Sequence, residues 1–483
     1  MPLTRVRIRI AALAALWLAV APFETVQAAG RFSPPGLYDP EVYRLANGLR
    51  VVLRPRSGAR SVAIRVVVGV GTSNYPCRAQ EVPHFLEHLL FSGTPSHSEE
   101  ELDALISSHG GSWNAHTGEW ETTYEVDIFS GYAALGVETL HEILTETEIT
   151  DDAVEVSRDV LLREAGGKPS AADTLLDRLG LTRSAHDRAL EQLDRPRSAC
   201  DPPALATDVT RSEIESAYRR YYVPANMALV VVGDFARDAM RATIEATFGS
   251  MPAAPFTAEP KEPLPPHPGP LQLSGFASDA SVGFLFRTGG YGTRENYALR
   301  VLEPYLDQRL YQVLRVERGL TYTPTVGYGG SPDVGWFEVS AEVDGANADL
   351  THRLIAAELD RIRERTVDVE ELEQAREGLL LTYAQGLESN ADVADYYVSS
   401  LFELDDSGRF VDEEEQLESL TPGAILDVGA KAFAAERTVS LRDRRLYVTE
   451  IIAGSVLVAA LAAVYLPWRL YRSRGRAQAR RAT

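Results

Sequence analysis

Between Pro83 and Thr94 the chain reads PHFLEHLLFSGT, in which His84 and His88 stand four residues apart with Glu87 between them. On an α-helix this spacing puts both imidazoles on one face, close enough to ligate a single ion through ring nitrogens. Glu87 lies on the same face, three residues from His84, placed to take a proton from an attacking water rather than to fill the coordination sphere. Pro83 is tolerated at a helix start and Gly93 follows the last apolar residues as a stop, so a helix across the motif is predicted. The chemistry would be metal-assisted hydrolysis; two ordinary surface histidines are the bland alternative.

A catalytic zinc takes three protein ligands and leaves one position open. The motif supplies two, so a third is expected on a neighbouring element. Glu164, at the end of SRDVLLREAGG behind the apolar Val160, Leu161 and Leu162, is the best candidate. A solvated glutamate on a charged helix is its ordinary reading.

Several elements must position these groups. YRLANGLRVVLRP and SVAIRVVVGVG read as strands, the first broken by an Asn47-Gly48 turn, and TTYEVDIF and NMALVVVGDF read as two more. Helices are expected from Pro83 and through Glu164. Met251 to Pro270 is too rich in proline for regular structure and reads as a stiff linker. Beyond it the plan recurs: ASVGFLFRTGG as a strand, a helix from about Arg294, GWFEVSAEVD as a strand, then long helices. The fold class predicted is α+β, with two similar α/β lobes from a duplicated unit enclosing a clamshell cleft, plus a C-terminal transmembrane helix.

Composition narrows the partners. The chain has 483 residues, 45% hydrophobic and 24% charged, which suits a large folded body. A formal net charge of -21 argues against nucleic acid and favours cationic ligands. Acids crowd the first half at Glu99, Glu100, Glu101, Asp103, Glu119, Glu121, Glu125 and Asp127, as a solvated surface or as selection for basic peptides.

The ends suggest export. Arg5, Arg7 and Arg9 precede an apolar run from Ile10 to Ala21 and small residues at Ala28 and Ala29, the pattern of a signal peptide over residues 1–28. Ile451 to Trp468 is continuously apolar and is followed by Arg469, Arg472, Arg474, Arg476, Arg480 and Arg481. That pattern predicts a membrane helix over 451–468 with a basic cytoplasmic tail over 469–483, and a periplasmic body anchored by the single helix. Cys77 and Cys200 are the only cysteines; a bridge would tie the segment before the motif to the SACDPP loop, and two free buried thiols are the other reading.

HFLEHLLFSGT resembles the inverted zinc motif of the pitrilysin and insulinase family, the inverzincins, most closely the branch of mitochondrial processing peptidase. The resemblance implies one zinc per chain on His84, His88 and Glu164, with Glu87 as the base. GGSWNAHTGEWETTYEVDIF is similar to the family's substrate-binding edge strand, which implies that Asn114 and the backbone around Ala115 pair with an extended peptide. LRVERGLTY resembles the family's arginine and tyrosine pair, here Arg315 and Tyr322, implied to reach substrate and the developing oxyanion. The family usually carries another glutamate two helical turns before the glutamate ligand; Ser157 stands there, and Glu155 falls on the opposite helix face.

These readings divide the chain into a catalytic lobe over 36–250, a linker over 251–270 and a second lobe over 271–440 carrying Arg315 and Tyr322. The expected function is a zinc endopeptidase acting on peptides or unfolded segments. The alternative is a weak or inactive member serving as a partner or scaffold subunit. A homodimer and a heterodimer with a related chain both fit.

Overall fold

The computed structural model describes residues 31–195, 200, 205–445 and 465. The first sheet is built from β-branched, apolar runs that suit a pleated surface: β1 (Glu41–Arg44), β2 (Arg50–Pro55), β3 (Ser61–Val68), β4 (Ser112–Thr117), β5 (Thr122–Phe129) and β6 (Met227–Gly233). Their spatial order is β1-β2-β6-β3-β5-β4, with β2 and β6 parallel and the other pairs antiparallel. Interspersed are α1 (Val82–Phe91), α2 (Glu99–Ser107), α3 (Ala133–Glu146), α4 (Asp151–Glu164), α5 (Ala171–Arg178), α6 (Ala185–Leu193), α7 (Arg211–Tyr221) and α8 (Arg237–Ala246).

Residues 252–268 carry neither helix nor strand. The second sheet follows as β7 (Leu271–Ala277), β8 (Ser281–Thr288), β9 (Pro324–Gly330), β10 (Gly335–Glu342) and β11 (Val439–Arg445), in the order β7-β11-β8-β10-β9. Its helices include α9 (Arg294–Leu310), α10 (Ala348–Arg363), α11 (Val369–Gln385) and α12 (Asn390–Ser399). With β1 set aside, both sheets place their strands in the chain order first, fifth, second, fourth, third, and both pair the first and fifth in parallel. The two-lobe α+β architecture is therefore one unit used twice.

Strand alternation decides what each sheet face meets. On β3, Val62, Ile64, Val66 and Val68 enter the core shared with α1 and α3, while Ala63 on the opposite face packs under α12. That helix belongs to the second half, yet it lies on β3 and β6 of the first sheet. Conversely α6, from the first half, lies on β7, β8 and β11. Each lobe thus lends the other a helix drawn from between its last two strands in the chain. Val393, Ala394 and Tyr397 of α12 are fully buried by the exchange, and a large apolar side chain so buried contributes about 1.5–3 kcal/mol.

Polar bonds fix both crossings. Asn390 Nδ2 donates to the Ser61 carbonyl at 2.8 Å, and Arg65, buried on β3, donates to Asp395 of α12 at 2.7 Å and to Asp127 of β5 at 2.9 Å. On the other side His186 of α6 meets Glu338 of β10 at 2.9 Å, and the Ala185 amide donates to Asp443 at 2.7 Å.

The expected membrane anchor requires correction. A spanning helix needs about 20 continuous apolar helical residues, and among the described residues no helix is long and apolar enough to cross a membrane. The longest helices among the described residues, α9 and α11, have 17 residues each. Ile451 to Trp468 lies, but for Tyr465, outside the described residues, as do the expected signal segment and basic tail. The membrane-anchored, periplasmic placement deduced from that segment is withdrawn.

Candidate metal centre

The α1 helix begins one residue before Pro83 and ends ahead of Gly93, whose φ of 105° lies in the left-handed region that glycine accepts. Phe85, Leu86, Leu89 and Leu90 form its buried stripe, which leaves His84, Glu87 and His88 half-buried on the remaining face. The α4 helix packs beside α1 and brings Glu164, its last residue, to the two histidines.

The three donor atoms form a nearly equilateral triangle. His84 Nε2 and His88 Nε2 are 3.3 Å apart, and Glu164 Oε2 is 3.4 Å from each. Ligand atoms about 2.05 Å from a tetrahedral zinc ion stand about 3.3 Å from one another. Two imidazoles and a carboxylate are also a donor set zinc accepts, so residues and spacing both fit that ion.

A surrounding shell orients the set. Glu81, at the N-cap of α1, accepts from His84 Nδ1 at 3.0 Å and so turns Nε2 towards the triangle. Burial disfavours a charge on His84, but the Glu81 bond and the nearby Glu87 and Glu164 carboxylates outweigh it, and its pKa lies above the ordinary imidazole value. Glu87 Oε2 accepts a 2.6 Å bond from Thr117 Oγ1, at the end of β4.

The β4 strand is the edge of the first sheet and, among the described residues, pairs only with β5. Asn114 is exposed on its outer face, and Ala115 is half-buried against the core. Phe91 of α1 stacks edge-on against Trp113 at 4.5 Å, and the Trp113 indole donates to Asp103, so this edge is held to the motif helix. The turn after β4 is fixed from the other side: the Gly118 and Glu119 carbonyls accept from the Thr72 and Ser73 amides. A Cβ at Gly71 would lie 2.5 Å from both carbonyls, so only glycine fits there.

Cys77 and Cys200 form a disulfide that ties the turn just ahead of α1 to the segment before α7. Ser157 is buried within α4, whereas Glu155 points to solvent and pairs with Arg158. Much of the acidic run has local partners: Glu101 caps α2 through Ser98, Asp103 holds Trp113, and Glu125 and Asp127 flank Arg65.

Arg315 and Tyr322 belong to the second half of the chain, on either side of the turn ahead of β9. They pair with each other, the guanidinium 4.0 Å from the Tyr322 ring centre and donating to its carbonyl, and Tyr322 is 81% exposed. Among the described residues neither bonds to His84, Glu87, His88 or Glu164. Sequence reasoning missed Glu81 and Thr117; Glu81 had one signal, its three-residue offset from His84, and Thr117 had none.

Residues 50–186 match the family profile described as insulinase, peptidase family M16, and residues 208–379 match the profile of the M16 inactive domain. The chain belongs to the pitrilysin/insulinase family, M16. An uncharacterized zinc protease of Mycobacterium bovis is 27% identical over 303 residues, covering 60% of this chain and 67% of that protein. The mitochondrial-processing peptidase subunit beta of Lentinula edodes is 31% identical over 124 residues, 26% of this chain and 27% of that subunit. In fold the chain is similar to a protease from Helicobacter pylori, with a TM-score of 0.72 at 20% identity over 84% of this chain and 99% of that one. Membership in M16 assigns a metallopeptidase kind of function, with zinc the metal for which relatives are named. Catalysis by this chain is a separate matter, because the profile of its second half describes an inactive domain.

Proposed function

We propose that the chain is a zinc endopeptidase that takes extended or unfolded peptide segments along β4. The observation that carries this reading is the donor triangle of His84, His88 and Glu164, with sides of 3.3–3.4 Å, next to a carboxylate that is not part of it. A subunit kept only as scaffold has no need of Glu81 to orient a ligand or of Thr117 to hold Glu87.

In this reading His84, His88 and Glu164 hold one zinc ion per chain, which when bound supplies Lewis-acid polarisation of the scissile carbonyl and of water. Glu87 takes the proton of the attacking water and returns it to the leaving amine, and Thr117 keeps that carboxylate in one orientation. The free backbone edge of β4 around Asn114 and Ala115 pairs with the substrate main chain, so recognition depends little on side-chain sequence. Arg315 and Tyr322 serve as donors to the carbonyl oxygen as it gains charge. Their exposure supports a reading in which they reach the substrate only when the lobes close on it, or from a second chain in a homodimer or heterodimer.

The second reading, a weak or inactive partner subunit, is favoured by Ser157, which leaves α4 without a second carboxylate facing the site. The test is zinc titration of chelator-treated protein, followed by incubation with unfolded casein and a mixed peptide library. The endopeptidase reading expects one zinc per chain and internal cleavages. Zinc binding with no cleavage in either substrate would favour the partner subunit.

A further inference from the structure

Glu164 reaches the two histidines from the last residue of α4, so its place depends on how that helix is held. Val154, Leu161 and Leu162 bury one side of α4. Apolar contacts of this kind resist separation more than they resist rotation about the helix axis. A helix is about 10–12 Å across its side chains, so a turn of about 20° displaces an outer carboxylate by about 2 Å. That is more than half of the 3.4 Å between Glu164 Oε2 and either histidine nitrogen.

Arg158 supplies contacts that oppose such a rotation. It stands on α4 six residues, or about 9 Å of helix, before Glu164, and its side chain is only 14% exposed. The guanidinium lies 5.1 Å from the centre of the Phe85 ring, and Phe85 is fully buried on α1 beside His84. Its Nη1 donates to the Ala206 carbonyl, in the short turn Ala206–Asp208 on which α4 also packs. That turn leads into α7, which lies against α1. One side chain thus fastens the helix of the third donor to the helix of the first two, directly through Phe85 and indirectly through Ala206 and α7. At the start of α4, Asp151 pairs with Arg211 of α7 at 3.0 Å, but both side chains are largely exposed, and such a pair holds weakly.

Charge pairing is not the main use of this arginine. Glu155, 3.2 Å from its Nε, is 72% exposed and needs no cation to stay solvated. Arg158→Met therefore strands no buried carboxylate, and its unbranched apolar chain still covers the Phe85 ring. What it removes is the planar guanidinium that bonds Ala206 while stacking on Phe85.

We propose that Arg158 is a positioning residue for the metal site: it sets the rotation of α4 and so the place of Glu164 in the donor triangle. The inference rests on reading that triangle as a zinc site and does not depend on hydrolysis.

Zinc affinity is measured on the chelator-treated full-length protein, by competition with a chromophoric chelator, for wild type, Arg158→Met, Glu164→Gln and the double variant. Arg158→Met is expected to weaken zinc about ten-fold, as loss of a partner behind a ligand does. Glu164→Gln keeps both histidines and is expected to hold zinc more weakly than wild type. In that background Arg158→Met should cost less than about two-fold, because the ligand it positions is gone. An arginine that only stabilises the fold would weaken zinc equally in both backgrounds. Arg158→Lys keeps the charge without the fork, should weaken zinc about three-fold, and replaces Arg158→Met if that variant does not fold. The proposal is overturned if the Arg158 variant binds zinc as wild type does, or if its loss persists undiminished when residue 164 is glutamine. Zinc bound with no peptide cleaved would sink the endopeptidase reading alone, whereas a wild type that takes no zinc would sink both.

Discussion

Thr117 Oγ1 donates to Glu87 Oε2 at 2.6 Å, which joins the end of the edge strand β4 to the helix that carries both histidines. The bond means that the strand proposed to hold the peptide and the carboxylate proposed to move the proton are set by one contact. Thr117→Val keeps the branched shape and removes the donor. It is expected to lower kcat about ten-fold while KM and zinc content stay near wild type, with Thr117→Ser restoring most of the rate. An unchanged kcat in the valine variant would show that the bond has no part in positioning Glu87.

Glu81 fixes His84 through Nδ1. Removing such a partner typically weakens a metal site about 10- to 100-fold. Glu81→Ala should therefore need correspondingly more free zinc for half-loading, measured by competition with a chromophoric chelator. Wild-type affinity would assign His84's orientation to packing alone.

Arg65 is 1% exposed, and its nearest acids come from both halves of the chain, Asp127 in β5 and Asp395 in α12. Burial opposes its charge, but bonds to Asp127 and Asp395 raise its pKa above the ordinary value, so it stays charged. Arg65→Met leaves these carboxylates facing one another without a cation and should destabilise the protein by about 3 kcal/mol in urea unfolding. A loss below about 1 kcal/mol would mean that apolar packing alone holds α12 on the first sheet.

The reciprocal contact, His186 with Glu338, carries a pH signature. The bond that His186 donates to the Glu338 carboxylate raises the His186 pKa; for Glu338, burial works against the charge, but the same bond outweighs it and lowers its pKa. A raised histidine pKa stabilises the fold below its unfolded value of about 6.5, and the gain is lost as pH rises through the folded pKa. The lowered Glu338 pKa adds stability above the ordinary glutamate range, lost as pH falls through the folded pKa. With 38% of the imidazole side chain exposed, solvent screening limits the pair to about 0.5 kcal/mol. Wild type should thus exceed His186→Gln in Tm at pH 6, and the difference should vanish by pH 9. A constant difference across that range would rule out the ion pair as its source.

The core strands are legible in sequence because SVAIRVVV and MALVVVG are β-branched runs that suit no other element so well. The edges are harder to read. SWNAHT in β4 and PTVGYGG in β9 are half-exposed and carry few β-branched residues, so their strand character comes from pairing with β5 and β10. The exchange of α6 and α12 is invisible locally: an amphipathic pattern announces a buried face but not which sheet covers it. At the site, the spacing of His84, Glu87 and His88 is a helical repeat and can be read directly. Glu164 depends on how α4 packs against α1. The shell residues Glu81 and Thr117 depend on side-chain geometry that no spacing rule encodes. The apolar run at Ile451 shows the opposite failing, since composition alone does not establish a spanning helix.

The most direct test of the proposed chemistry is zinc content and peptide turnover measured on the same samples of wild type, Glu87→Gln and His88→Ala. Glu87→Gln leaves the donor triangle intact and removes the base. It should retain one zinc per chain and lose about 10²- to 10⁴-fold in kcat, while His88→Ala should lose both metal and turnover. Wild-type turnover by Glu87→Gln, or full zinc retention by His88→Ala, would contradict the account.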